Sequence, residues 1–203
     1  GLRGRTKLAI EVVVATGAVA GLLATSAFGE AGQGTLVVPW VGWSVSLGWA
    51  YVPLAVLVIV GTANATNLTD GLDGLAAGSV AICAAGLIAV TALASAGESL
   101  ELAWLSAALL GMCVGFLRHN AFPARVFMGD TGSLALGAAL GYAALMTKHE
   151  LLLLVIGGVL VAEALSVMLQ VASFKLTGKR IFLCSPIHHH FQFLKWSEPV
   201  IVR

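Results

Sequence analysis

Long runs of apolar residues constrain this chain more than any other feature of its sequence. A helix needs about 20 residues to cross the ~30 Å hydrocarbon layer of a membrane, or fewer when flanking side chains reach outward. Six runs approach or reach that length, and they predict transmembrane helices over residues 8–28, 50–69, 75–96, 102–117, 133–147 and 151–173. Charged residues make up only 10% of the chain, whereas soluble domains carry about 25%. The sequence therefore predicts an all-α, polytopic membrane helix bundle that forms one membrane domain over residues 1–203.

The stretch between the first two predicted helices has a different character. Residues 35–40 and 44–47 favour β structure and predict a small external hairpin. Aromatic residues concentrate at membrane–water boundaries, and four of them near this hairpin predict an outer aromatic belt: Trp40, Trp43, Trp49 and Tyr51. The cysteines are too few and too irregularly spaced for a disulfide framework or a zinc cluster. They predict small packing residues at Cys83, Cys113 and Cys184.

Positive charge is distributed unevenly between the two ends of the predicted bundle. With six crossings, ten of the eleven lysines and arginines fall on one side, and only Lys148 falls on the other. The ten are Arg3, Arg5, Lys7, Arg118, Arg125, Lys175, Lys179, Arg180, Lys195 and Arg203. Because positively charged loops stay in the cytoplasm, this side, called the basic end below, is predicted to face the cytoplasm. The net charge of +1 gives no indication of a nucleic-acid partner.

Four pairs of glycines, each four residues apart, lie in the predicted helices or at their ends. Such pairs let helices approach closely, and they predict packing contacts at Gly17 and Gly21, Gly74 and Gly78, Gly111 and Gly115, and Gly137 and Gly141. The sequence starts at Gly1 without an initiator methionine, which predicts that the chain is part of a longer protein.

The first polar motif joins the second and third predicted helices and reads Asn-Ala-Thr-Asn-Leu-Thr-Asp-Gly-Leu-Asp-Gly over residues 64–74. Its two carboxylates, Asp70 and Asp73, are three residues apart and can share one helical face. A turn with a helix cap would use the same residue types. Because two such residues suffice for a turn, the density of polar residues favours a ligand or metal site.

The second motif runs from Asn120 into the fifth predicted helix and includes Phe-Met-Gly-Asp-Thr-Gly-Ser at residues 127–133. Taken alone, it fits a plain helix start equally well, with Asp130 complementing the helix dipole. Its glycines would also let backbone N–H groups approach a phosphate, and Asp130 could carry Mg²⁺, which prefers oxygen ligands shared with substrate phosphates. Phe127 is a candidate for stacking on a base, although a lone aromatic residue is more often part of a core.

The third motif is Pro-Ile-His-His-His-Phe at residues 186–191, in the last polar segment of the basic end. Three adjacent side chains cannot point the same way on a helix or strand, so His188, His189 and His190 do not make a three-histidine zinc site by themselves. They fit either an exposed loop or a cluster that binds phosphate or moves a proton near neutral pH. Glu163, an ionisable residue inside a predicted transmembrane helix, is either a functional residue or a hydrogen-bonding partner within the bundle.

The three motifs, in this order and on this side, resemble those of the phospho-N-acetylmuramoyl-pentapeptide transferases, bacterial enzymes that make lipid I for peptidoglycan. The resemblance covers essentially the whole chain. The family fold has ten transmembrane helices, of which this chain would supply the fourth to the ninth. The adjacent aspartate pair of the family does not occur in the sequence. The resemblance therefore implies that the intact parent is the enzyme and that this chain alone is inactive.

The implied reaction moves phospho-N-acetylmuramoyl-pentapeptide from its UDP-linked donor to undecaprenyl phosphate, giving lipid I and UMP, with Mg²⁺ as cofactor. The implied catalytic residues are Asp70, Asp130, His188, His189 and His190, with Asp130 as the metal ligand. The implied substrate-binding residues are Asn64, Asn67, Gly71, Asp73, Asn120 and Phe127. The implied partners are the two substrates and the lipid bilayer, with a homodimer as one assembly. The implied location is the bacterial inner membrane, with the active site facing the cytoplasm.

Two other functions fit parts of the sequence. A sister enzyme that transfers N-acetylglucosamine phosphate to the same type of lipid shares the aspartate motifs and the metal, but it matches the histidine segment less well. A cation-coupled secondary transporter would hold its aspartates near the middle of the membrane. Asp70, Asp73 and Asp130 are predicted at helix ends instead.

Overall fold

A computed structural model describes residues 3–24, 34–39, 41–94 and 100–202 of the chain. The helices are α1 (Gly4–Ala24), α2 (Tyr51–Thr69), α3 (Leu75–Ala94), α4 (Leu100–Asn120), α5 (Gly129–Met146), α6 (Glu150–Ile156), α7 (Gly158–Thr177), α8 (Ile187–Phe193) and α9 (Glu198–Val202). Strands β1 (Thr35–Val38) and β2 (Trp43–Ser46) lie between α1 and α2. A 3₁₀ turn (Gly48–Ala50) leads directly into α2.

The long helices are apolar enough to lie in a bilayer. Within the described residues, four segments meet the length and hydropathy that a membrane crossing needs: Gly4–Ala24, Gly48–Thr69, Leu75–Leu93 and Gly158–Thr177. Large apolar side chains such as Leu57, Ile82 and Leu93 remain exposed on these helices, as contact with lipid requires. The prediction of an all-α, polytopic membrane protein is confirmed.

The helix ends differ from the predicted spans where polar residues are helical. Helix α4 continues to Asn120 instead of ending at residue 117, and α5 begins at Gly129 instead of residue 133. A search for apolar runs excludes these polar turns. The predicted span 151–173 is two helices, because the helix is interrupted at Gly157. Only glycine fits well at this position, since an added Cβ would lie 2.7 Å from the Leu153 carbonyl oxygen. The histidine segment, for which an exposed loop was one alternative, forms α8.

Helices α2 and α5 pack closely in the centre of the bundle. Gly137 and Gly141 face α2, and a Cβ on either glycine would overlap with the backbone or side chain of Thr62. The predicted close approach is confirmed for this pair. The prediction is wrong at five other positions, where no described atom beyond the glycine's own neighbourhood lies within 4 Å of the Cβ site: Gly17, Gly21, Gly78, Gly111 and Gly115. Their helices pack through other faces.

Apolar side chains, both large and small, fill the core between α3, α4 and α5. Leu87, Leu109 and Leu140 are fully buried there. Cys83 and Cys113 lie in the same cluster, which confirms that these two cysteines are packing residues. Cys184 is half-buried, and all three thiols are free.

The end of the bundle opposite the basic end carries the predicted hairpin. Strands β1 and β2 pair antiparallel, with Thr35 opposite Ser46 and Val38 opposite Trp43. The β-branched and aromatic residues of both strands favour this pairing. Trp43 and Trp49 are exposed, as an aromatic belt requires, whereas Trp40 lies outside the described residues.

Tyr51 does not join this belt, because its side chain is buried inside the bundle. Its hydroxyl donates to Glu150, and the Lys148 ammonium lies 4.2 Å from the centroid of its ring. Burial lowers the pKa of Lys148 to about 8, and the negative charge of Glu150 opposes that shift. A buried phenol is favourable here because an acceptor is available within the protein.

Candidate functional site

The close packing of α2 against α5 brings the first two polar motifs into contact. Ser133 Oγ, near the start of α5, donates to Asn67 Oδ1 on α2 at 2.8 Å. The Asp70 carboxylate, which follows the last residue of α2, accepts a hydrogen bond from the backbone N–H of Gly129. The end of α2 and the beginning of α5 therefore form one polar surface.

Asp70 and Asp130 are close enough to interact electrostatically across this surface. Burial raises the pKa of Asp70, the hydrogen bond from Gly129 opposes the rise, and the negative charge of Asp130 adds to it. The Asp130 side chain is 59% exposed, and the Lys7 ammonium of α1 contacts its carboxylate. One carboxylate is thus half-buried, and the other is open to solvent beside a cation.

Asp73 connects the turn after α2 to two distant segments. Its carboxylate oxygen Oδ2 accepts a hydrogen bond from the Ala124 backbone N–H at 2.8 Å. Its own backbone N–H donates to Oε1 of Glu198 on α9 at 2.7 Å. The turn that contains Asp70 and Asp73 is therefore tied both to the loop after α4 and to the C-terminal helix.

The Asn120 side chain hydrogen-bonds both to the turn after α2 and to the loop after α4. Its side chain is buried, Oδ1 accepts from the Gly74 backbone N–H at 3.1 Å, and Nδ2 donates to the Val126 carbonyl oxygen at 2.9 Å. Gly74 has a φ of +80°, which favours glycine at this bend. Asp73 and Asn120 together hold the loop over residues 121–126, at Ala124 and at Val126.

Phe127 directly follows this loop, and 75% of its surface is exposed. A core role, the alternative that its sequence left open, is therefore wrong. An exposed ring beside a fixed polar surface is suitable for stacking on a flat ligand group, because a base has an aromatic face that such a ring can cover.

The three histidines of α8 point in different directions, as helical spacing requires. His188 is buried, and a Cβ on Gly71 would overlap with its ring. His189 Nδ1 lies 2.7 Å from the side-chain oxygen of Gln192, and His190 Nδ1 accepts from the Leu183 backbone N–H at 3.2 Å. His188 therefore contacts the first motif directly, while His189 and His190 are half-buried.

Asn64 contacts residues outside the three motifs rather than the other predicted site residues. It lies one helical turn before Asn67, where its Nδ2 donates to Oε2 of Glu11 on α1 at 2.5 Å and to the Val60 carbonyl oxygen at 2.9 Å. Asn64 thus links α2 to α1 beneath the polar surface.

Sequence reasoning missed three charged residues that complete the site or support it: Lys7, Glu11 and Glu198. In the sequence, Lys7 stands out only as one of the positive charges of the basic end. Glu11 and Glu198 carried a weak signal, because a carboxylate in an apolar helix or on a basic surface is unusual and requires a partner.

Relatives with assigned names support the relation indicated by the motifs, and each bears the name phospho-N-acetylmuramoyl-pentapeptide-transferase. The relative from Moorella thermoacetica is 52% identical over 100% of this chain and 61% of the relative. That from Geobacillus thermodenitrificans is 56% identical over 82% of this chain and 51% of the relative. That from Heliobacterium modesticaldum is 61% identical over 76% of this chain and 47% of the relative.

The chain spans about half to three fifths of the length of these relatives. The sequence identity of 52% and 56% between this chain and two of these relatives confirms the resemblance to the phospho-N-acetylmuramoyl-pentapeptide transferases. The sequence pattern described as Glycosyl transferase family 4 matches residues 1–148, which include the first and second motifs. The chain therefore belongs to glycosyl transferase family 4.

Proposed function

We propose that the full-length protein transfers phospho-N-acetylmuramoyl-pentapeptide from its UDP-linked donor to undecaprenyl phosphate, forming lipid I and UMP. The reaction would take place at the cytoplasmic face of a bacterial inner membrane. The observation that carries the proposal is the convergence of Asp70, Asp130 and His188, from three separate motifs, at the basic end of an apolar helix bundle. The names of the relatives supply the substrate class.

The location of this site suits one soluble and one membrane-bound substrate. The donor is a cytosolic polyanion, and the acceptor is anchored in lipid. A polar surface at helix ends lets both substrates meet without taking the donor into the hydrocarbon layer. Lysines and arginines at the same end would attract the donor, since clustered charge raises the local concentration of an opposite charge. A transporter site at mid-membrane would not have this arrangement.

Mg²⁺ is the implied cofactor, and the oxygen ligands at the site fit it. Asp70 and Asp130 lie close together, and Mg²⁺ is usually held by one or two carboxylates plus substrate phosphates. Among the residues that the structure describes, no group of three or more His, Cys, Asp or Glu side chains forms a metal cage. When held by Asp130 beside Asp70, Mg²⁺ would neutralise charge on the phosphoryl oxygens.

The chain's own residues would hold the substrates and balance the charge that forms. An oxygen of the lipid phosphate bonds to the sugar-bearing phosphorus, and the bond from that phosphorus to UMP breaks. Negative charge grows on the departing UMP, so a fixed cation such as Lys7 stabilises this stage. His189 and His190 would contact the phosphates or the sugar.

The turn and loop beside Asp70 would form the uridine pocket. Gly71 would supply backbone groups to this pocket, and Asp73 would supply its carboxylate. Asn120 would hold the turn and the loop together, and Phe127 would stack on the base. Asn67 would line the catalytic face through its contact with Ser133.

The test is release of UMP by the purified full-length protein in lipid or detergent. With the UDP-linked muramoyl-pentapeptide, undecaprenyl phosphate and Mg²⁺, we expect one UMP for each lipid I formed. Omitting either substrate should abolish release. UDP-N-acetylglucosamine should not replace the donor. Release from UDP-N-acetylglucosamine would indicate the sister transferase, and no release from either donor would contradict the proposal.

Phe127→Ala is expected to weaken binding of the UDP-linked donor by roughly tenfold, because stacking of a base on an aromatic ring contributes ~1–3 kcal/mol. Binding of undecaprenyl phosphate should stay within about twofold of the parent, since no stacking is involved. Equilibrium binding of each substrate measures both effects. Phe174→Ala is the control, because Phe174 is also exposed but lies on α7. Equal weakening of both substrates would contradict the stacking role.

A further inference from the structure

A buried acid–base pair lies behind the candidate site. Glu163 on α7 and His188 on α8 are 3% and 1% exposed, and Glu163 Oε2 lies 3.0 Å from His188 Nδ1. The same oxygen lies 3.4 Å from the His188 backbone nitrogen. Burying a carboxylate without a partner is strongly unfavourable. Glu163 and His188 therefore depend on each other for their positions.

The aspartate turn holds the other edge of the His188 ring. A Cβ on Gly71 would overlap with His188 Nε2, so that nitrogen lies directly against the Gly71 backbone. Nε2 makes no hydrogen bond to another described residue, and the group that faces Nδ1 is the Glu163 carboxyl group, 3.0 Å away. The ring is thus held by contact with the Glu163 carboxyl group on one edge and by steric contact with Gly71 on the other.

His188 differs in this respect from its two neighbours. His189 pairs with Gln192 within α8, and His190 accepts from the backbone N–H of Leu183 in the preceding segment. Both are half-buried, whereas His188 has no solvent access. Of the three histidines, His188 alone connects an acidic side chain of a long apolar helix to the turn that carries Asp70 and Asp73.

We propose that Glu163 is a positioning residue for this site, because through His188 it holds the turn over residues 70–73 in place from within the bundle. The turn is held from its other sides by hydrogen bonds from Asp73 N to Glu198 and from Gly74 N to Asn120. The inference rests on the proposed function insofar as the turn is taken to bind the uridine part of the donor. It assigns His188 to support rather than to contact with substrate.

The first measurement is hydrogen exchange at the backbone amides of residues 70–74 in the full-length protein. We expect Glu163→Gln and Glu163→Leu to accelerate exchange, by about tenfold or more for Leu, because the turn loses its inner support and opens locally. Glu150→Gln is the matched control, since Glu150 is also a buried glutamate but contacts Tyr51 at the opposite end. Parent-like exchange in both Glu163 variants, or equal acceleration in the control, would overturn the inference.

The second measurement separates positioning from a role in stability alone. We expect Glu163→Gln to raise KM for the UDP-linked donor by roughly tenfold and to leave KM for undecaprenyl phosphate within about twofold. A purely structural role would lower the amount of folded protein and leave both constants unchanged, which would overturn the inference. Failure of the parent protein to release UMP would contradict the proposed function, whereas the exchange result would still report on the support of the turn.

Discussion

Asp130→Asn in the full-length protein is expected to reduce Mg²⁺-dependent release of UMP by about 10³-fold or more, because charge neutralisation by a metal at a phosphoryl oxygen is worth several kcal/mol. The amide has nearly the same size as the carboxylate but lacks its negative charge. Asp130 lies in the first turn of α5 beside Asp70 and Lys7, so its charge acts directly on groups at the polar surface. The measurement is the rate of UMP release over a series of Mg²⁺ concentrations.

Loss of activity in this variant must be separated from loss of fold. The Asp130 side chain is 59% exposed, so the amide should be accommodated without repacking. We therefore expect membrane insertion and thermal stability to match those of the parent. Binding of Mn²⁺, followed by electron paramagnetic resonance, should weaken in the variant even without turnover. Parent-like UMP release in Asp130→Asn would remove Asp130 from the mechanism.

Gly71→Ala is expected to lower kcat/KM by about 10²-fold, since displacing a reacting group by ~1 Å has an effect of that size. The new methyl group would overlap with the His188 ring, which is buried and held by Glu163. The ring cannot rotate into solvent, so the turn that carries Asp70 must move instead. Overpacking of this kind also lowers the free energy of unfolding by about 1–3 kcal/mol. Steady-state kinetics and thermal denaturation measure the two effects.

Gly78→Ala provides the control for this substitution. Gly78 lies one turn into α3, and no atom of the described residues lies within 4 Å of the Cβ site beyond the glycine's own neighbourhood. Alanine is also the better helix former, so the variant should be at least as stable as the parent. If Gly71→Ala left kcat/KM unchanged, the contact between His188 and the turn would not control the site.

Helices α1 to α7 lie in regions where long apolar runs predicted helices, whereas α8 and α9 are too short to carry such a run. The ends of these helices were harder to predict wherever a helical turn consists of polar residues. Helix α5 begins at Gly129 and includes Asp130 and Thr131, which lie before the predicted span of residues 133–147. The break at Gly157 was missed for the opposite reason, since both of its flanks are apolar.

Tyr51 shows a further limit of sequence reasoning. A tyrosine at the end of a transmembrane helix fits an aromatic belt, and nothing local distinguishes a lipid-facing ring from a buried one. Tyr51 is buried because Glu150, which is 99 residues away in the sequence, accepts a hydrogen bond from its hydroxyl.

The candidate site could be located from the sequence, but its supporting contacts could not. The local density of polar residues indicated Asp70, Asp73 and Asp130. Lys7 reaches Asp130 across 123 residues of sequence, and Glu198 reaches Asp73 across 125. Such pairs follow from the packing of helices, which a single sequence does not specify. The same is true of His188 against Gly71, since neither residue type suggests the other as its partner.

The most direct test of a cytoplasmic, donor-binding site is the reactivity of a cysteine at position 127 in the full-length protein. Phe127 is exposed, and buried thiols such as Cys83 and Cys113 react little, so Phe127→Cys in a Cys184→Ser background gives a specific signal. A membrane-impermeant maleimide should label the variant in inside-out vesicles but not in intact cells, and the UDP-linked donor with Mg²⁺ should slow the labelling. Labelling from outside intact cells, or a rate that the donor leaves unchanged, would contradict the account.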